Sequence, residues 1–396
     1  MPLERYVRAG LGFVLACLIL PVLYCAECIV RIRFVDVSAT ALGHLIGHID
    51  LYLRQKNLGQ QAAVKAVFVL ARPANGFVAD LLGRSVPVLR HGLLCRLFYG
   101  VAPWLARTRF IMELPLGPGN LRPSAEGRHG VALSEAENRC GAELAAKYGI
   151  GDDDWFVTFH CRDGGFHKLT RTVQDMSYHD YRNSDIDRYD AALGHIIDQG
   201  GFAVRIGKGV EKPLTLKHRH IIDETESRSD FLDAWLVSRS KFLICGNSGI
   251  FYLAHLFNVP YAVTNMTPIG DLPNGRNCFY IPKLLRRTGA EAPLPLPELH
   301  AMGLICGNPK TSAERGLYRG ATYPALGLEW VENSRDDILD LCRDMFDLVE
   351  GRPPPDEAVR LQRHFRDAYL ADVPDRDFAP AIGPRFALKY RHLLDR

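Results

Sequence analysis

Residues 241–265 read KFLICGNSGIFYLAHLFNVPYAVTN, and this stretch decides the fold class. KFLICG (241–246) and YAVTN (261–265) are short apolar runs bounded by turns, as strands covered on both faces are. Between them, NSGIFYLAHLF has the composition of a helix, with Asn and Ser where a cap is wanted. Strands alternating with helices build parallel sheets.

The same alternation extends in both directions. Upstream, a helix over 134–148 precedes the strand WFVTFHC (155–161). A helix over 186–199, the strand GFAVRIG (201–207) and a helix over 231–239 follow it. A separate series opens the chain: the strand IRFVDVS from Ile32, a loop ATALGH, a helix over 45–54 and the strand KAVFVLA (65–71). RPANGFVADLLGR then makes a turn at Pro73, Asn75 and Gly76 before another helix. Residues 113–130, ELPLGPGNLRPSAEGRHG, are crowded with Pro and Gly and read as a linker. The expectation is α/β, with two Rossmann-like domains facing a cleft: residues 31–135 for the N-terminal domain and 136–350 for the C-terminal one. Residues 336–350 (DDILDLCRDMFDLVE) form an amphipathic helix after the cap-like NSR, GRPPPDE stops it, and a helical tail fills 351–396.

Composition narrows the function. At 396 residues and 47% hydrophobic content the chain exceeds one small domain. A net charge of +3 lacks the basic excess of nucleic-acid binders, so no nucleic-acid partner is expected. The 10 cysteines are scattered, which suits a reducing cytoplasm better than a disulfide scaffold. Cys25 and Cys28 form a C-x-x-C without a second pair or nearby His, so no metal is expected there. The apolar run over 11–26, within an N-terminal segment 1–30, follows Arg5 and Arg8 as a signal or anchor would. It is short for a full span, Pro21 interrupts it, Glu27, Arg31 and Arg33 end it, and no cleavage site stands out. A membrane-associated helix and a plain buried helix are the two readings, so a membrane surface is one expected partner. The expected location is cytoplasmic, or the cytoplasmic side of the inner membrane.

In open α/β sheets ligands bind outside the carboxyl ends of the strands, and the polar turns there carry the candidate chemistry. FHCRD (159–163) ends a strand with His160, Arg162 and Asp163. A guanidinium at Arg162 suits a diphosphate, whose oxygens it grips bidentately; the plain alternative is a surface pair of Arg162 with Asp163. In VRIGKG (204–209), Arg205 sits among strand apolars and needs a partner, either a ligand phosphate or an acid on a neighbouring strand; Lys208 favours the ligand. CGNSGIF (245–251) places Asn247, Ser248 and Gly249 at an expected helix N-terminus, where phosphate binds, although capping alone also explains them. YHDYRNSDIDRY (178–189) holds Arg182, Asn183 and Asp185, a fork suited to sugar hydroxyls or a solvated helix start. Asp152 to Asp154 precedes a strand and is discounted as a metal site. His44, in the loop after the first strand, is the candidate general base for an acceptor hydroxyl, against a structural role; His160, Asp163 and Glu224 are the other candidates.

The ordered set GHLIGHIDLYL, FHCRD, YRNSDIDRY, VRIG, SDFLDAWLVSRSKFLICGNSGIF, VTNMTP and WVENS resembles a bacterial family of glycosyltransferases linked to surface-polysaccharide synthesis. The resemblance covers residues 32–350 and implies a GT-B-like fold. FHCRD is also similar to the H-x-R loop of GT-B fucosyltransferases, which implies Arg162 as a diphosphate ligand; the Ser248 turn is similar to their late phosphate-holding turn. The loop after Arg162, GGFHKL, departs from that pattern. GT-B enzymes generally work without a metal, so neither metal nor cofactor is expected. The resemblance implies transfer of a sugar from a nucleotide-sugar donor to a carbohydrate or lipid-linked carbohydrate acceptor. Two other readings keep the same fold: a sugar-nucleotide epimerase or hydrolase, and a non-catalytic sugar- or nucleotide-binding subunit of a polysaccharide assembly complex. The latter is favoured if the arginines pair internally with Asp or Glu.

Overall fold

Parallel strands dominate the computed structural model, which describes residues 2–61, 63–117, 120–170 and 177–394. Pro118 and Gly119 of the expected linker lie outside the described residues. The chain divides into two units, Met1–Leu116 with Glu126–Ala132, and Gly117–Ala125 with Leu133–Arg396.

In the first unit the order is α1 (Pro2–Glu27), β1 (Ile32–Asp36), α2 (Leu42–Asn57), β2 (Lys65–Val69), α3 (Gly76–Gly83), β3 (Val88–Leu89) and α4 (Gly92–Leu105). The three strands form one parallel sheet in the order β1-β2-β3. Leu45, Ile46 and Ile49 line the buried face of α2, the i, i+1, i+4 stripe of an amphipathic helix. Asn75 caps α3 by accepting from the Val78 amide at 2.8 Å. Two expectations need correction here. Pro21 lies inside α1 and does not end it; Leu15, Ile19, Leu20 and Leu23, on both sides of it, pack against the α4 residues Cys95, Phe98, Val101 and Leu105 and hold the helix through the lost hydrogen bond. Nor is α1 a plain buried helix, because only 11% of the apolar stretch Gly10–Glu27 is buried.

The second unit follows with α5 (Leu121–Glu126, whose last residue belongs to the first unit), α6 (Glu135–Ala146), β4 (Phe156–His160), α7 (Gly165–Thr170), α8 (Asp190–Asp198), β5 (Phe202–Arg205), β6 (Ile221–Asp223), α9 (Asp230–Arg239), β7 (Leu243–Gly246), α10 (Phe251–Leu256), β8 (Tyr261–Met266) and β9 (Cys278–Pro282). A hairpin of β10 (Leu284–Arg287) with β11 (Leu328–Val331) encloses the short helices α11 (Leu296–Ala301), α12 (Pro309–Glu314) and α13 (Thr322–Ala325) in sequence. Then come α14 (Arg335–Val349), α15 (Asp356–Tyr369), β12 (Ala381–Ile382), α16 (Pro384–Lys389) and α17 (Arg391–Leu394). Seven parallel strands run in the order β12-β9-β8-β7-β4-β5-β6. Helices α8 and α14 cover one face, which is why Val157, Phe159, Ile244, Ala262, Leu341 and Met345 pack into one core. Ser134 and Ser334 start α6 and α14 with capping boxes. The helix expected over 186–199 is a 3-10 turn, Ile186–Tyr189, leading into α8.

The strand order fixes where a ligand sits. From β4 the chain moves to β5 and β6 on one side, then returns to β7 on the other side of β4 and continues to β8 and β9. The strand order therefore reverses between β4 and β7 while all strands stay parallel, and the crevice outside their carboxyl ends is the binding position of a doubly wound sheet.

Candidate functional site

β4 runs out into His160, Cys161, Arg162 and Asp163, and β7 into Gly246 and Asn247, so both turns open on that crevice. Gly246 lets them approach: a Cβ there would lie 3.1 Å from the Arg162 amide nitrogen. The Ser184 amide donates to the Arg162 carbonyl at 3.0 Å, and the Cys161 thiol donates to the Ser184 carbonyl at 3.1 Å. These contacts zip the end of β4 to the polar loop that carries Arg182.

Arg182 donates from Nη2 to both Oδ1 (2.9 Å) and the carbonyl (3.1 Å) of Asn247. Asn247 is buried and turns its Nδ2 to the Thr267 carbonyl at 2.7 Å, so its oxygen can only face the arginine. Beneath the loop, buried Lys283 donates to the carbonyls of Tyr181 (3.0 Å) and Asn183 (2.6 Å), and burial pushes its ammonium down to about 8. Burial, and then the charge of Arg182, push down the proton affinity of Arg162. Both arginines lie at the switch point of the sheet, Arg162 at the end of β4 and Arg182 on Asn247 at the end of β7. Asp271 feels the charge of Arg182, yet burial holds its carboxyl up at about 6. Asp163 does not neutralise the cluster through its hydrogen bonds: it accepts from the amides of Gly165 (3.0 Å) and Glu211 (2.8 Å), turning the loop that the sequence leaves open. Two guanidinium groups at the carboxyl ends of β4 and β7 suit an anion with several oxygens, although Asp163, Asp180 and Asp271 also act on them.

His160 is set behind this loop. Its Nδ1 lies 3.0 Å from the Ile206 carbonyl, an acceptor only, so Nδ1 carries the proton. Gly207 packs on the ring at φ +128°, and a Cβ there would fall 2.5 Å from Nδ1. Burial lowers the ring to about 4, which keeps it neutral and gives it the role of a wedge between β4 and the turn after β5.

Other sequence candidates land elsewhere. Arg205 faces Asp223 across the β5–β6 register, pairs with it at 3.1 Å, donates to the Lys212 carbonyl at 2.8 Å and is 1% exposed. The expectation of a ligand phosphate there is corrected: its partner is an acid on the neighbouring strand. Lys208 lies in the turn after β5. Asp185 pairs with Lys212 at 2.5 Å and caps the 3-10 turn through the Asp187 amide, while Asn183 donates to Asp180 at 3.1 Å. The expected helix N-terminus at Asn247–Gly249 is also displaced. Helix α10 starts at Phe251 with Ile250 at its cap, because the Asn247 amide is committed to Thr267 and Arg182. Ser248 is buried, and its Oγ accepts from the Ile250 amide at 3.4 Å. Glu224 is fully buried; burial, then Asp233, push its carboxyl up to about 8, which favours its protonated form at neutral pH.

In the first unit His44 lies in the opening turn of α2, where the sequence places a loop. The helix starts early because the Ala41 amide is held by the Ser38 carbonyl and the Leu45 amide already bonds Ala41. One turn later, His48 presents Nε2 to His44 Nδ1 at 3.3 Å, and its own Nδ1 lies 2.8 Å from the Leu114 carbonyl. Burial lowers His48 to about 4, so it is neutral. The carbonyl accepts, so His48 Nδ1 donates and its Nε2 accepts from His44 Nδ1. Asp36, at the end of β1, adds a favourable charge and accepts from the Tyr99 hydroxyl at 3.0 Å. His48 is a residue the sequence reading missed, although the i, i+4 spacing in GHLIGH signals it.

The sequence matches no protein-family model and no curated protein. The chain is similar to solved structures of bacterial glycosyltransferases. With the Escherichia coli ADP-heptose LPS heptosyltransferase II it shares 10% identity at a TM-score of 0.43, over 64% of this chain and 91% of that one. With a family 9 glycosyltransferase of Veillonella parvula the values are 12% and 0.47, over 81% and 98%. The E. coli heptosyltransferase WaaC, solved with ADP, gives 13% and 0.31, over 63% and 91%. At these identities no residue role passes from those enzymes to this chain.

Proposed function

We propose that the chain is a glycosyltransferase that moves a sugar from a nucleoside diphosphate carrier to a carbohydrate hydroxyl. One observation carries this reading: Arg162 follows β4, and Asn247, following β7, aims the guanidinium of Arg182, so both arginines lie at the switch point of the sheet. In transfer, the acceptor oxygen bonds to the anomeric carbon as the bond from that carbon to the diphosphate oxygen breaks. The departing diphosphate gains negative charge, and two guanidinium groups stabilise it more than they stabilise the intact donor. The acceptor proton goes to a base, and His44, whose Nδ1 donates to His48, is the candidate from the first unit. The acceptor class, surface carbohydrate, rests on the family resemblance of the sequence.

A non-catalytic nucleotide-binding subunit is favoured by the pairing of Arg205 with Asp223. Arg182 argues against it, since its hydrogen bonds go to a neutral amide and a carbonyl. Calorimetry with a panel of nucleoside diphosphates and nucleotide-sugars tests the proposal. One diphosphate binds the wild-type chain, and Arg162→Ala weakens it about tenfold or more. A folded wild-type protein that binds none of them removes the transferase reading.

A further inference from the structure

We infer that α1 and α4 together form a platform that lies on an anionic phospholipid surface, with α1 along the bilayer instead of across it. Most of the exposed large apolar side chains of the first unit lie on these two helices. On α1, Leu11, Val14, Leu18 and Val22 are 58–66% exposed and recur every three to four residues, a single stripe along one face. On α4, Leu93, Leu94 and Leu97 are exposed within the first turns. Isolated exposed leucines are ordinary, but a stripe along α1, with a second exposed apolar group on the helix packed against it, marks a surface that water does not normally cover.

Geometry separates lying from spanning. The opposite side of α1 is committed to the first unit: Leu15, Ile19, Leu20 and Leu23 join the cluster of Cys95, Phe98, Val101 and Leu105. Gly12 meets α4 at backbone distance, where a Cβ would lie 2.2 Å from the Gly100 carbonyl oxygen. Phe13 stacks edge-on with Trp104 at 5.0 Å, and Tyr24 with Phe110 at 4.9 Å, so both ends of the apolar stretch are held. Helix α4 cannot follow α1 into a bilayer. It follows β3 by two residues, and soon after its end Ile111 bridges to Phe34 of β1. With 14 residues it also falls short of the roughly 20 that a span requires.

Charge names the surface. Arg107 lies over Trp104, Arg109 lies over Tyr24 and pairs with Glu27, and Arg31 and Arg96 are exposed. Arginine beside Trp and Tyr at the edge of an apolar face is the arrangement of an interfacial anchor on anionic headgroups.

The test is flotation of the full chain with vesicles of phosphatidylethanolamine and phosphatidylglycerol, using Val14→Glu/Leu18→Glu on α1 and Leu93→Glu/Leu97→Glu on α4. All four side chains are exposed, so both variants keep the wild-type melting curve. The wild type floats, and each double variant loses about tenfold or more of its vesicle-bound fraction. Wild-type flotation of the α4 variant would mean that α1 inserts alone and overturns the platform. A wild type that stays off vesicles as a stable dimer overturns it too, by assigning the face to a second copy.

Discussion

His44 and His48 form a directed pair in which the second ring decides what the first can do: His48 accepts at Nε2 because its Nδ1 is committed to the Leu114 carbonyl. With the nucleotide-sugar that calorimetry identifies, His44→Ala lowers kcat by about a hundredfold or more. His48→Phe keeps the ring volume but removes the acceptor, and lowers kcat about tenfold with KM unchanged. Nitrogen-15 NMR of His44 reads the tautomer directly; a His48→Phe protein whose His44 remains protonated at Nδ1 and fully active takes His48 out of the mechanism.

The arginine pair predicts coupled losses. Arg162→Ala and Arg182→Ala each weaken diphosphate binding about tenfold to a hundredfold, and the double variant loses less than the product because the two act on one ligand. Asn247→Leu retains the charge yet releases the guanidinium of Arg182, so affinity falls there as well. Multiplicative losses in the double variant would separate the two arginines into independent sites.

Arg205 predicts the opposite pattern. Arg205→Met leaves Asp223 without its partner and destabilises the second unit by about 3 kcal/mol, while diphosphate affinity in the protein that remains folded changes less than about twofold. A tenfold loss of affinity with unchanged melting would return Arg205 to the ligand.

Glu224 gives a pH signature. Its carboxyl rises from 4.5 to about 8 in the folded chain, so the folded state holds a proton that the unfolded state releases. Stability is full below pH 4.5 and falls as pH rises toward 8. Glu224→Gln removes the ionisable group and raises the unfolding free energy at pH 8 by up to a few kcal/mol, with little change at pH 4. Melting curves at the two pH values check this, and an equal shift at both refutes a titration origin.

His48 and His160 run the other way. Both are lowered from 6.5 to about 4, so the unfolded chain takes up protons first as pH falls. Stability is full above pH 6.5 and is lost as pH drops toward 4, by up to about 3 kcal/mol for each ring. His160→Gln flattens part of the melting temperature against pH over that window.

What the sequence revealed follows from the range of the interactions concerned. The cores of β4, β7 and β8 are continuous apolar runs, and Ser334 with Asp337 marks the start of α14 within four residues, so all were legible locally. Arg162 was legible as the polar end of β4. Its companionship with Arg182 was not, since it depends on the Ser184 and Lys283 contacts that fold the intervening loop. The partner of Arg205 required the β5–β6 register, which spacing does not encode. The start of α10 misled for a related reason: Asn247 reads as a cap in sequence, but Thr267 and Arg182 claim its side chain. The sequence reads His44 as a loop residue because the apolar period only becomes evident from Leu45, whereas α2 starts at Leu42.

The order of strands in the seven-stranded sheet also dictates when the anion crevice comes into being during synthesis. β4 leaves the ribosome early, yet its neighbour across the crevice, β7, pairs with it 85 positions downstream, Phe159 with Ile244 and His160 with Cys245. Until that stretch has emerged, Arg162 has no Gly246 to pack against and Arg182 has no Asn247 to hold it. A nascent chain stalled before β7 therefore carries both arginines but no binding competence, and acquisition of ligand affinity times the closing of the sheet.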